Sequence, residues 1–394
     1  MAFWLDFAKL FLKIVRGILG HIVYFVSFLT PRDSRKYLCG CYTGFMDNSK
    51  YLYLQMLERG INALWYTERK SDAEYVKKLG LPVAYKYSLK GLYHCLTAGN
   101  YVSTHFFKDY SRWTSGNVRT IVLWHGLPIK SMEIDKSPLP ILKKIYNSII
   151  SPSKGIDVLL STSDLVTEHF LKCFFITTDN IVYYSYPRCD FMMKDQQSIM
   201  NSLHKINDLN TINLITKIRS YSKVYLYMPT WRDSGEDFFK QAGFDYCRLN
   251  EVLRKRNALF LLKIHPNTKI EIHGIENLSN ILLLEKSMDL YPILSYVDCL
   301  ITDFSSIYLD FILFPQKEVI LFLFDFDDYI NKCRNLIMDY DKAVSGKKVY
   351  SFEDLLDVIQ NNAECPVLNR NAIVELYWNR ANRPFIEYVL GESD

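Results

Sequence analysis

Short apolar runs of strand length recur along the chain, separated by stretches in which apolar residues return every three or four positions. Tyr37 to Tyr42, Ala63 to Tyr66, Tyr101 to Thr104 and Thr120 to Trp124 are predicted strands, and Ser49 to Arg59 carries a helical period that stops at Gly60. A second series begins with a strand at Lys223 to Met228 and continues through Ala258 to Ile264, Ile281 to Leu284, Cys299 to Thr302 and Val319 to Leu323. Loop and helix are predicted over Phe239 to Arg256, and a helix at Leu290 to Ser295. From about Asn201 to Lys217 the chain turns polar and rich in Asn, which reads as a hinge. Strands alternating with helices predict an α/β fold with parallel sheets, whose ligands collect at the carboxyl ends of the strands. No G-x-G-x-x-G occurs, which argues against a dinucleotide dehydrogenase.

The first thirty residues follow another pattern. Lys9, Lys13, Arg16 and Gly20 fall on one stripe of a helix, and Phe3, Trp4, Phe7, Leu10, Phe11, Ile14 and Ile18 cover the rest. The charges are interleaved with apolar residues and no small-x-small site precedes Pro31, unlike a signal peptide. The uncharged run Gly17 to Thr30 is shorter than the ~20 residues a bilayer needs. Residues 1–30 therefore read as a helix lying in the plane of a membrane, with the basic stripe on anionic headgroups and Trp4 in the acyl boundary. The plainer alternative is a surface helix packed on the protein's own core.

Composition narrows the classes. A chain of 394 residues can hold two domains, here expected at 31–205 and 218–394. A net charge of +4 excludes a histone-like binder of polyanions, and no nucleic-acid partner is expected. The 28 Tyr and 24 Phe suit large cores and also carbohydrate or membrane contacts. Nine cysteines are scattered, and the one close pair, Cys39 and Cys41 with a single residue between them, has the spacing of neither a metal knuckle nor a disulfide framework. They read as thiols in a reducing compartment.

Four strand ends carry residues that a strand does not need: Trp124-His125-Gly126; Pro229-Thr230-Trp231-Arg232-Asp233; Lys263-Ile264-His265-Pro266; and Thr302-Asp303-Phe304-Ser305-Ser306, with Asp310 one turn on. Ser305 and Ser306 opening a helix would present backbone N–H groups and hydroxyls to a phosphate, and Asp310 could accept sugar hydroxyls of the same ligand. The plainer reading is that Ser305 caps the helix and Asp310 is solvated. Arg232 and Arg334 are candidate pyrophosphate partners, although an exposed arginine is more often merely solvated. His125 and His265 are candidate catalytic residues; singly, each would more often be a satisfied core histidine. No metal-ligand motif appears, and a loosely held Mg2+ need leave none.

Six ordered motifs resemble the CDP-glycerol glycerophosphotransferase family of teichoic acid primases and polymerases, together with related capsule-polymer transferases. They are GFMDNSKYLY at 44–53, WHGLPIK at 124–130, SYPRCD at 185–190, PTWRD at 229–233, ITDFSSIYLDF at 301–311 and FDFDDYINKCRNLIMDY at 324–340. The resemblance implies a GT-B-like pair of Rossmann-like domains facing a cleft, with the acceptor bound mainly by the first and the CDP-alditol donor by the second. It implies His125 as general base and His265, Ser305, Ser306 and Arg334 at the donor phosphates, with Gly126, Arg232, Thr302 and Asp303 beside them. The implied reaction moves glycerol phosphate or ribitol phosphate from CDP-glycerol or CDP-ribitol to a polyprenyl-linked glycan or growing polymer and releases CMP. It would occur at the cytoplasmic face of the cell membrane, with Trp4, Lys9, Lys13 and Arg16 on the lipid. A GT-B glycosyltransferase of capsule or lipopolysaccharide synthesis is the alternative.

Overall fold

Two all-parallel sheets form the framework of the computed structural model. It describes residues 2–129, 155–174, 176–232, 237–265, 268, 274–332 and 336–391, with backbone alone for 2–14 and 330–332. The first sheet contains β1 (Asp33–Gly40), β2 (Asn62–Thr67), β3 (Val83–Tyr85), β4 (Ala98–Ser103), β5 (Arg119–Val122), β6 (Val158–Ser161) and β7 (Ile181–Tyr183), in the order β3-β2-β1-β4-β5-β6-β7. The second contains β8 (Lys223–Met228), β9 (Ala258–Leu262), β10 (Ile281–Leu283), β11 (Cys299–Thr302), β12 (Glu318–Phe322) and β13 (Lys347–Val349), in the order β10-β9-β8-β11-β12-β13. β9 and β11 are buried along their whole length, as expected of parallel strands covered on both faces.

Strand order reverses between β1 and β4 and again between β8 and β11. Helices leave opposite faces of the sheet at such a point, which opens a crevice beyond the carboxyl ends. In the first sheet the flanking ends run into Cys41 and His105, with His125 beyond the neighbouring β5. In the second they run into Pro229 to Arg232 and Asp303 to Ser306. The helix Asp47–Glu58 begins beside the first crevice, and its residues Asn48 to Tyr53 are all buried.

The structure corrects several expectations. The stretch read as a hinge is two helices, Gln196–Lys205 and Leu209–Ile218, capped by Asp195 and Asp208. Their surface asparagines masked a buried stripe of Leu203, Ile212, Ile215 and Ile218. Leu290 to Ser295 does not form a helix; one 3-10 turn, Leu294–Tyr296, stands there, and Lys263 Nζ ties the preceding loop through the Met288 carbonyl at 2.9 Å. The unit expected at 218–394 does not keep its own end. Ser185 bridges to Pro384, and Thr162 Oγ1 donates to the Tyr377 carbonyl at 2.7 Å, so the last helices lie on the first sheet's side. The eight described cysteines are free thiols, all buried except Cys247.

The N-terminal helix spans Ala2–Ser27 and rests on the turn Arg112–Thr114. Arg16 lies 5.4 Å from the Trp113 ring, Gly20 fits beneath that indole, and the Gly116 N–H donates to Ser27 Oγ at 2.9 Å. The Arg16 to Gly20 part of the expected headgroup stripe thus meets Trp113, while Ile18, Leu19, Ile22, Phe25, Val26 and Leu29 are exposed. The side chains of Trp4, Lys9 and Lys13 lie outside the described residues. Among the described residues no helix is long and apolar enough to cross a membrane.

Candidate active site

His125 follows β5 through Trp124, whose φ of 59° turns the chain sharply. Two side chains from other elements hold that turn. Asn48 Nδ2 donates to the Trp124 carbonyl at 2.9 Å, and Arg188 Nη1 donates to the His125 carbonyl at 2.7 Å. The His125 ring bonds to the backbone of Thr104. It stacks on His105 with centroids 4.5 Å apart and touches the Trp124 ring at 4.3 Å. Desolvation foremost, then His105 and Arg188, lower its pKa from 6.5 to about 3, against the pull of Asp47 and the Thr104 hydrogen bond. His125 is nonetheless exposed to solvent, which offsets much of that desolvation, so the downward direction is what the surroundings fix. A neutral imidazole that donates one N–H to a carbonyl presents its other nitrogen as a proton acceptor.

Gly126 accounts for the glycine of Trp-His-Gly. A Cβ there would lie 2.9 Å from Ser306 Oγ and 3.5 Å from Ser306 Cβ, so the ends of β5 and β11, from different sheets, meet at this point. Ser305 and Ser306 are half-buried ahead of the helix Ile307–Phe311, and Ser306 makes no side-chain cap. The residue at the helix's N-cap is thus Ser306, not the Ser305 of the capping alternative, and its hydroxyl is not used as a cap. A five-residue helix has little dipole, so what it offers an anion is the local N–H groups and hydroxyls.

Arg232 corrects the sequence reading. It is 6% exposed and gives its guanidinium to Asp325 at 2.7 and 2.9 Å, to Asp303 at 2.8 Å and to the Thr230 carbonyl at 2.7 Å. Its donors hold the β8 turn instead of facing a pyrophosphate. Asp303 likewise accepts from the Thr230 and Phe304 N–H groups at 2.9 and 2.6 Å, and Thr302 Oγ1 donates to Met228 at 2.8 Å. Both are buried supports of the turn. His265, exposed beyond β9, stacks with the Trp231 ring at 6.3 Å. Arg334 lies outside the described residues.

Asp310 is the second correction. It is fully buried and accepts from Arg188 Nη2 at 2.8 Å and Tyr291 OH at 2.6 Å, so its carboxylate is not turned toward a ribose. Arg188, absent from the sequence-based set, also reaches Asp47 at 2.6 Å. Lys50 and Tyr51 bind Asp289 at 2.7 and 2.6 Å. These buried charges join residues flanking the first sheet to residues flanking the second. The sequence signal existed, since Asp47 and Lys50 lie in GFMDNSKYLY and Arg188 in SYPRCD, but neither motif shows its partner. Beside this junction a cavity of about 640 Å³, lined by Thr43, Lys50, Arg69, Asp72, Leu283 and Glu285 among others, opens between the two sheets.

Donor atoms of Cys41, His105 and Asp109 lie within 4.8 Å of one another. They do not fit a cation. Asp109 accepts from the N–H groups of Tyr42, Thr104 and His105 at 2.8, 2.6 and 2.5 Å, while burial and the Asp109 charge push the Cys41 thiol up and keep it protonated.

Comparison with known proteins places the chain in a family. A family model described as CDP-Glycerol:Poly(glycerophosphate) glycerophosphotransferase matches residues 22–377. A teichoic acid glycerol-phosphate transferase of Staphylococcus aureus is 27% identical over 334 residues, covering 80% of each chain. The teichoic acid ribitol-phosphate polymerase TarL of Staphylococcus aureus is 25% identical over 354 residues, which span 87% of this chain and 57% of that protein. A solved structure of the wall teichoic acid polymerase TagF superposes with a TM-score of 0.68 at 20% identity, over 98% of this chain and 97% of that one. At that identity the likeness speaks for the fold.

Proposed function

The chain belongs to the CDP-glycerol:poly(glycerophosphate) glycerophosphotransferase family, and on that premise we propose that it transfers an alditol phosphate from a CDP-alditol in teichoic acid synthesis. The acceptor is a hydroxyl of a lipid-linked glycan or of a growing polymer, and CMP leaves. The contact between Gly126 and Ser306 carries this reading, because it sets the His125 turn against the Ser305-Ser306 turn.

The acceptor oxygen attacks the β-phosphorus of the CDP-alditol. An O–P bond forms as the bond from that phosphorus to the CMP oxygen breaks, and CMP takes the electron pair. His125 accepts the hydroxyl proton, a step typically worth ~10²–10⁴-fold. Hydroxyls and N–H groups of Ser305 and Ser306, with His265 at the rim, face the charge that gathers on the pyrophosphate. Arg334, by its motif position, joins them.

The two sheets are the cores of two Rossmann-like domains in a GT-B arrangement, the first for the acceptor and the second for the donor. Supporting this are the two strand-order reversals and the cavity between the sheets. The N-terminal helix holds the enzyme at the cytoplasmic face of the cell membrane; the exposed row Ile18, Leu19, Ile22, Phe25 and Leu29 supports that placement. Deleting residues 1–29 should abolish flotation with anionic vesicles, and undiminished flotation would assign the contact elsewhere.

The functional test offers a synthetic lipid-linked disaccharide with CDP-glycerol and with CDP-ribitol separately, reading CMP release and product mass. A product heavier by one alditol phosphate is expected. Transfer of a sugar from a nucleotide sugar, with no phosphorus gained, would overturn the proposal.

A further inference from the structure

His105 follows β4 and has no part in the chemistry above. Its ring nevertheless lies nearly parallel to that of His125, with centroids 4.5 Å apart and planes 16° from parallel. Three neighbours hold it. Nδ1 lies 3.6 Å from the Cys41 thiol and 3.7 Å from Asp109 Oδ1, and the Tyr42 ring meets it edge-on at 4.6 Å. Asp109 is fixed in turn by three backbone amides, and the His105 side chain is 13% accessible.

We propose that His105 is a positioning residue for the transfer step: clamped between the end of β1 and its own loop, it fixes the plane in which the His125 imidazole meets the acceptor hydroxyl. The inference rests on the phosphotransfer reading, with His125 as the base. The His125 ring is then bounded by the His105 ring, the Trp124 ring and the Thr104 backbone. A swing of even 1 Å in a reacting group costs about 100-fold, so a rigid stacking surface is worth having there.

The stack also acts on charge. The charged and titratable groups facing the pair are Cys41 and Tyr42 beyond β1, Asp47 at the start of its helix, Asp109 in the loop after β4, and Arg188. Among them His105 and Arg188 oppose a second proton on His125, and Asp47 favours one. His105 therefore helps keep the acceptor nitrogen open as pH falls.

The test measures CMP release from CDP-glycerol against pH for the full chain, His105→Phe and His105→Ala, with melting temperature as the folding control. Phenylalanine keeps a flat ring and loses the nitrogens. That variant should lose only about threefold in kcat near pH 8, and its acidic limb should lie at higher pH than that of the unsubstituted protein. Alanine removes the stacking surface and should lower kcat roughly ten- to a hundredfold, with less than about a twofold change in KM for CDP-glycerol. Superimposable pH profiles for the unsubstituted protein and His105→Phe, or full kcat in His105→Ala, would overturn the inference. If the unsubstituted protein releases no CMP from CDP-glycerol or CDP-ribitol at any pH, the phosphotransfer reading itself fails and takes this inference with it.

Discussion

His125 and His265 each follow a strand at the carboxyl edge of a sheet, one in each half of the molecule, and their immediate sequences offer little to rank them. Their surroundings do. His125 is bonded to the Thr104 backbone and stacked on His105, and its own carbonyl is tied by Arg188. Both residues are exposed, and His265, beyond β9, has the Trp231 ring 6.3 Å away. A ring held in one orientation and stripped of its second proton suits proton transfer. A ring at the rim suits an anionic group arriving from solvent. The lesson is that position on a doubly wound fold nominates residues, and the shell around each decides its work.

The comparison breaks first at His125. His125→Ala should lower CMP release by roughly 10²–10⁴-fold. Affinity for CDP-glycerol, read by calorimetry, should stay within about threefold, because the base touches the acceptor and not the donor. Near-normal turnover would remove His125 from the chemistry.

The junction that supports His125 comes next. Arg188→Met leaves Asp47 and Asp310 without their buried cation, and removing one partner of such a pair typically costs ~3–5 kcal/mol. Chemical denaturation should show a loss of that order, partly restored by Asp310→Asn in the same chain. Unchanged stability would mean that the cluster opens to water in solution.

Ser306→Ala should weaken CDP-glycerol binding about tenfold or more, as expected for a hydrogen bond to a charged group worth ~1.5–3 kcal/mol. His265→Ala should act the same way, with a larger effect on donor affinity than on acceptor KM. A change confined to the acceptor would exchange the roles given to the two edges.

The smallest effect concerns pH. His125 is lowered from 6.5 to about 3, so the folded protein binds fewer protons there than the unfolded chain. Stability from this group is therefore full above about 6.5 and is lost as pH falls toward about 3. His125→Asn should flatten that part of a stability-against-pH curve, and an unaltered slope would mean that the imidazole titrates normally.

Much of the fold was legible in the chain. β8 and β11 lie at the expected residues, since continuous apolar runs ending in polar turns leave few alternatives. β3, β6, β7 and β13, three or four residues each, were not predicted, although β10 and β11, equally short, were. The Asn-rich stretch misled because exposed polar residues outnumber the buried isoleucines of the same helix. In the site, His125-Gly126 and Ser305-Ser306 stood out as residues a strand end does not need. Arg232 and Asp310 were misassigned because their partners are distant in sequence: Asp325 lies 93 residues from Arg232, and Arg188 comes from near the other sheet. His105 carried the same strand-end signal as His125, directly after Tyr101 to Thr104, but its weight comes from a ring stack that no sequence displays.

Disulfide trapping tests most directly whether the two edges share one cleft. A Cβ at position 126 lies 3.5 Å from that of Ser306, within the ~3.5–4.5 Å that a disulfide spans. Gly126→Cys combined with Ser306→Cys should, after mild oxidation, give a bridged peptide by mass spectrometry and a loss of CMP release that a thiol reductant reverses. Finding both thiols free after oxidation, in a folded protein, would contradict the account.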